Sequence, residues 1–171
     1  RDAGIAFAIP QPDDIPQRLS AVLSAIYAAY GTAWDDIAGA DQRLAGLADE
    51  AIWLARLTVQ LAPGEPEAFG LLAMMLHCEA RRAARRGSEG AFIALRDQNV
   101  DLWSRDMMAE AETAFRSAAA AAKPGRFQTE AAIQSLHAQQ RIPGERLPGP
   151  PAQLYDVLAP FPPPTGCFVA R

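Results

Sequence analysis

Cations other than arginine are scarce in this chain of 171 residues: Lys123 is its sole lysine, and His77 and His137 are its two histidines. Cysteine is scarce too. Cys78 sits in a helical pattern and Cys167 near the end, too few for a disulfide framework, so a reducing cytoplasm is the expected setting. Long apolar runs are also missing. The longest, such as Phe69 to Leu76, fall far short of the roughly 20 residues that cross a bilayer, so no membrane partner is expected. The opening Arg1-Asp2-Ala3-Gly4 has no initiator Met, basic n-region or apolar signal stretch and reads as part of a longer protein. With a net charge of -4 there is no excess of cations to grip DNA phosphates, so any DNA contact has to come from another segment.

The machinery of common chemistry is equally thin. His77 and Cys78 are neighbours on a helical pattern and project about 100° apart, so they cannot chelate one metal together. No glycine-rich phosphate loop occurs, and neither histidine lies near a serine or cysteine on a strained glycine-flanked turn. The acidic pairs Asp13-Asp14, Asp35-Asp36 and Asp49-Glu50 read as helix starts or solvated charge. These features predict a non-enzyme with no cofactor and no metal.

Helical periodicity is plentiful. Leu19, Val22, Leu23, Ile26 and Tyr30 make one apolar face from about Ile15 to Tyr30, interrupted by Gly31 and the stretch from Trp34. Leu44, Leu47, Ala51, Leu54, Leu57 and Leu61 form a second stripe that stops at Pro63. Glu65-Pro66-Glu67 opens a third helix in which Phe69, Leu72, Ala73, Leu76 and Ala80 are expected to be buried. Arg81, Arg82, Arg85 and Arg86 fall in its last turn, beside the negative end of its dipole, and Gly87 is its stop. The stretch 87–100 is the least regular, with Phe92 to Leu95 suiting a short strand or an apolar tuck. A fourth helix is expected from about Asp101 to Ala122 and a fifth from Phe127 to Gln140.

Pro63, with Ala51 before it and Phe69, Leu72, Ala73 and Leu76 after it, fits about one and a half tetratricopeptide repeats, in which small residues let paired helices approach. The expected fold is therefore all-α, with antiparallel helical hairpins stacked in a tetratricopeptide-like arrangement of about five to six helices. Its parts are an extended lead-in at 1–16, a helical domain at 17–141, and a proline-rich tail at 142–171 that carries one short helix and reads as cut short. Asp97-Gln98-Asn99 ahead of Trp103 suits either a polar docking loop or the cap of the fourth helix.

Several of these segments carry a family pattern: Glu50-Ala51-Ile52, Leu54-Ala55-Arg56-Leu57, Pro63 with Glu67-Ala68, Gly70-Leu71-Leu72-Ala73, Leu76-His77 and Ala80-Arg81-Arg82. It continues through Leu95, Asp97-Gln98, Trp103, Glu110, Phe127-Gln128, Ala131-Ala132-Ile133 and His137-Ala138. Together they resemble the C-terminal tetratricopeptide-like extension of extracytoplasmic-function RNA polymerase sigma factors. Gln98-Asn99-Val100 stands where that family has Gln-Asp-Arg, and Ser104 where it has Asp. The resemblance implies a regulatory role in transcription initiation. The partners it implies are sigma regions two and four in cis and core polymerase, with DNA reached only through sigma regions absent from this chain. Homodimerisation is left open. Arg81, Arg82, Asp97, Gln98 and Trp103 are the candidate interaction residues. The competing expectation is a free-standing tetratricopeptide-like scaffold for a short peptide, unconnected with transcription.

Overall fold

A computed structural model describes residues 11–35, 46–87, 90–141 and 156. Among them the architecture is all-α, with five α-helices: α1 Ile15–Asp35, α2 Leu47–Leu61, α3 Pro66–Glu79, α4 Arg105–Ala120 and α5 Arg126–Gln139. Short 3₁₀ turns follow α3 at Arg82–Ala84, Leu95–Asp97 and Val100–Leu102. The lead-in up to residue 10, Leu44 and nearly all of the proline-rich tail, including its expected short helix, lie outside the described residues. No described helix is long and apolar enough to cross a membrane.

The third helix organises the rest. Glu65 caps it by accepting the Glu67 N–H (3.2 Å), and Pro66 occupies the first turn, where its missing N–H costs nothing. Every residue from Gly70 to Cys78 is buried. A helix apolar on all sides cannot sit at a surface. Accordingly α3 packs against α1, α2, α4 and α5 and becomes the axle of the domain. Gly70 makes one of these contacts possible, because a Cβ there would stand 2.6 Å from the Gln128 backbone nitrogen at the start of α5.

Three expectations about helix limits and faces are corrected. The first helix does not break at Gly31 but continues to Asp35. One helical glycine costs about 1 kcal/mol. Burial of Tyr30, Ala33 and Trp34 on the same face outweighs that, with Tyr30 Oη donating to the Met75 carbonyl (3.2 Å). On α2 the buried face is Ala48, Ala51, Ile52 and Ala55, whereas Leu54 and Leu61 of the expected stripe are exposed. The helix is apolar on more than one side, and its alanine face allows the closest approach to its neighbours. The third helix ends at Glu79, well short of Gly87, so the four arginines follow the helix rather than forming its last turn.

The repeat positions divide accordingly. Ala51, Leu72, Ala73 and Leu76 are buried, Phe69 is half-buried against α4, and Pro63 lies exposed in the α2–α3 turn.

Candidate interaction surface

The four arginines were expected in the last turn of the third helix; they follow it instead, and two of them are buried. Arg81 is 7% exposed: its Nε donates to the His77 carbonyl (3.0 Å) and its Nη2 to Gln134 Oε1 on α5 (2.6 Å). It thereby closes the C-terminal end of α3 and ties it to α5, a use of the helix dipole from inside the core. Arg85 is also buried. Its Nη1 donates to the Trp34 carbonyl (3.2 Å), and its guanidinium carbon stands 3.6 Å from the centre of the Trp34 ring. Arg82 and Arg86 are surface groups. The first pairs with Glu79, which raises its pKa further, and the second donates to the Gly90 carbonyl.

From residue 90 on, the irregular segment folds back onto the end of the arginine stretch. Arg86 and Phe92 form an isolated antiparallel bridge, and Ile93 N–H donates to the Arg85 carbonyl (2.8 Å). Gln98 is buried, with Nε2 donating to the Ile93 carbonyl (3.2 Å) and its own carbonyl accepting from Arg141 Nη2 (3.2 Å). Asp97 is exposed, with Arg96 3.5 Å away. Asn99 caps the 3₁₀ turn that follows, and Ser104 caps α4 by accepting the Met107 N–H (3.3 Å). Ser104 replaces the Asp of the resembled pattern, and both residue types fill an N-cap well. Ser104 N–H also donates to the Ala80 carbonyl (2.9 Å), which ties the start of α4 to the end of α3. Arg81 and Gln98 are therefore buried and bonded to different partners, Trp103 is partly buried just ahead of the α4 cap, and Arg82 and Asp97 are left on the surface.

Other polar groups join the helices at long range. Arg56 on α2 holds Glu110 on α4 through two bonds of 2.7 and 2.8 Å, which keeps that carboxyl below its ordinary pKa. Glu67 on α3 accepts the N–H groups of Phe127 (2.9 Å) and Gln128 (3.1 Å), so a carboxylate of one helix caps the start of another. His77 lies 3.4 Å from Glu112, which also accepts from the Ser135 hydroxyl (2.6 Å). Both neighbours hold Glu112 below the usual carboxylate range. The order is serine to carboxylate to histidine. The hydroxyl thus lacks the imidazole base a nucleophile needs. Among the described residues no cluster of three or more His, Cys, Asp or Glu could hold a metal ion.

None of these partners follows from local spacing. Pro66 and the Glu65–Glu67 pair marked a helix start, but nothing along the chain pairs Glu67 with residue 127, Arg56 with 110 or Arg81 with 134. Between α3 and α4 the surface opens into a groove of about 460 Å³. Phe69, Leu72, Ala109 and Ala114 line it on the apolar side, and Glu110, Thr113 and Ser117 on the polar side.

A family model described as a family of unknown function, DUF6596, matches residues 18–119. The chain belongs to this family. The match runs from α1 to the end of α4, and so takes in the Arg56–Glu110 pair, the whole of α3 and the loop with Gln98 and Trp103. An uncharacterized protein of Rhizobium meliloti (strain 1021) is 40% identical over 141 residues, which is 82% of this chain and 33% of that protein. The chain thus spans about a third of the length of this curated relative. No solved structure matches the chain.

Proposed function

We propose that this domain is the C-terminal regulatory and interaction domain of an extracytoplasmic-function sigma factor. In this reading it modulates transcription initiation by contact with sigma regions two and four or with core polymerase. One observation carries the proposal: several of the residues that make the chain resemble such extensions are ones that join its helices. Arg56 with Glu110, Glu67 and Gly70 with Phe127-Gln128, and Arg81 after Ala80 are all both motif and contact. A resemblance resting on the ties of the fold extends to the architecture, where one resting on scattered surface positions would not. The relative's length adds support, since about two-thirds of it lies outside the match and could hold other domains. The role proposed is non-catalytic and cytoplasmic.

The test is promoter-dependent transcription by a sigma factor carrying this domain, compared with the same protein lacking it and with an Asp97→Ala, Trp103→Ala variant. Deletion is expected to change transcript yield several-fold, and the double substitution to move it in the same direction. Equal yields from all three proteins would remove the reading. The α3–α4 groove favours the second reading, a tetratricopeptide-like scaffold for a short peptide independent of transcription. That reading gains if the groove variant Ala109→Trp abolishes peptide capture while transcription is unaffected by deletion.

A further inference from the structure

Apolar side chains left in solvent are unevenly spread over this domain. Among the described residues seven large ones are exposed, and three of them, Trp53, Leu54 and Leu61, belong to α2. Together with the partly exposed Leu57 they make one face. At about 100° per residue, Trp53, Leu57 and Leu61 follow one another at intervals of four, on the side of α2 away from its buried residues Ala48, Ala51, Ile52 and Ala55. Trp53 is 57% exposed and Leu61 77%. A surface helix ordinarily turns charged and polar groups outward at such positions. Folding gains nothing from large apolar groups in water, so a contiguous row of them marks contact with another molecule.

The charges along this face define the partner. Glu50 begins the same row, four residues before Leu54 and seven before Leu57, and Glu65 stands in the turn four residues past Leu61. Among the described residues no cation is paired with either carboxylate. The last turn of α2 holds no basic residue, so the negative end of its dipole is uncompensated beside Leu61. Arg56, the one cation on α2, is turned aside and held on α4 by two bonds to Glu110. The row is therefore apolar in the middle and negative at both ends. A second copy laid antiparallel would set Glu50 of each α2 against the negative end of the other, and laid parallel it would oppose Glu50 with Glu50. Area points the same way, since a stable dimer takes about 800 Å² from each partner, more than four side chains on about two turns of helix supply. An anionic membrane surface meets the same repulsion. A helix with its own apolar row and basic residues at its ends is opposed by none of these terms.

We infer that the outer face of α2 binds a basic amphipathic helix of a protein partner. Trp53 is the apolar anchor, with Leu54, Leu57 and Leu61 continuing the contact, while Glu50 and the C-terminal end of α2 receive the basic groups. The inference rests on the face of one helix and not on the transcription reading, so either can fail without the other.

The experiment follows the Trp53 indole N–H resonance of the ¹⁵N-labelled 171-residue chain, assigned by its loss in Trp53→Phe. The probes are capped helical peptides of about four turns: one with a Leu row flanked by Lys, one with Glu in place of Lys, and one with Ala in place of Leu. Phosphatidylglycerol vesicles are the fourth. A saturable shift with the Leu/Lys peptide alone is expected, weakened about tenfold by Leu61→Gln and about threefold by Glu50→Gln. Leu102→Gln, which removes an exposed apolar side chain elsewhere, should leave it unchanged. Circular dichroism confirms that each variant is folded, and Leu54→Gln replaces Leu61→Gln if that one unfolds. No saturable shift, equal binding of the Leu/Glu or Ala/Lys peptide or of the vesicles, or undiminished binding by the folded α2 variant would each overturn the assignment. So would a dimer in sedimentation equilibrium that Leu61→Gln dissolves, since the face would then belong to a second copy.

Discussion

The two ends of α3 are built in opposite ways. At its start, Glu67 gives both carboxylate oxygens to α5: Oε2 accepts from Phe127 N–H, and Oε1 accepts from the backbone and side chain of Gln128. Gly70, one turn on, brings the two backbones together. At its other end Arg81 is bonded, among the described residues, only to neutral groups, the His77 carbonyl, Cys78 Sγ and Gln134 Oε1. The first end is a finished joint between helices, with charge, dipole and shape all matched. The second holds the chain in place through neutral acceptors alone. The ends of this one helix of 14 residues are thus joined to their neighbours in different ways.

The contrast is sharpest at Gly70. Gly70→Val places side-chain atoms against the Gln128 backbone, which cannot yield as a side chain would, and should cost about 3 kcal/mol or more in urea unfolding. If it costs no more than a surface change, the close α3–α5 joint is not real. Glu67→Ala removes the cap of α5 and should lose roughly 2 kcal/mol by the same measurement. Arg141→Gln, which unties the loop beyond the other end, should lose under about 1 kcal/mol, since its tie is one partly exposed bond to a neutral carbonyl. A loss there equal to that of Glu67→Ala would erase the distinction between the ends.

Titration offers a gentler probe. Burial raises the Glu130 pKa, against the pull of Arg126. The folded state therefore binds this proton more tightly than the unfolded chain does, and Glu130 favours folding below the usual carboxylate range. That contribution is lost as pH rises through the folded pKa. Glu112 has the opposite sign: its lowered pKa supports stability above the usual range, which is lost as pH falls. Denaturation across pH 3–8 should show Glu130→Gln flattening the fall at higher pH, with Glu112→Gln flattening the loss at acid pH. The smallest effect is expected on the outer face of α2. Trp53, 57% exposed, and Leu61, 77% exposed, should each tolerate substitution by Gln within about 0.5 kcal/mol.

Helix content was legible because 3.6-residue periodicity is a local property. The Glu65-Pro66 start of α3 and the small residues Ala51 and Ala73 at helix contacts were likewise written in short stretches of chain. Faces were harder. On α2, Ile52-Trp53-Leu54 are consecutive, so periodicity alone could not say that Ile52 turns inward while the other two turn out. Gly31 read as a break because propensity penalises it, whereas packing of Tyr30 and Trp34 carries α1 through. The candidate residues show the same limit. Asp97 and Gln98 were grouped by proximity along the chain, yet Asp97 is exposed while Gln98 is buried and bonded to the Ile93 carbonyl and Arg141.

By itself, then, the sequence determined that this is an all-helical domain with α3 at its most apolar stretch. Local periodicity, caps and composition suffice for that, since each acts within a few residues. Only the tertiary structure decided which arginines would be counter-charged and which would not. Arg56 meets Glu110 across 54 positions, and Arg81 meets Gln134 across 53. Such pairings are chosen by the packing of whole helices around α3, and no local signal encodes them.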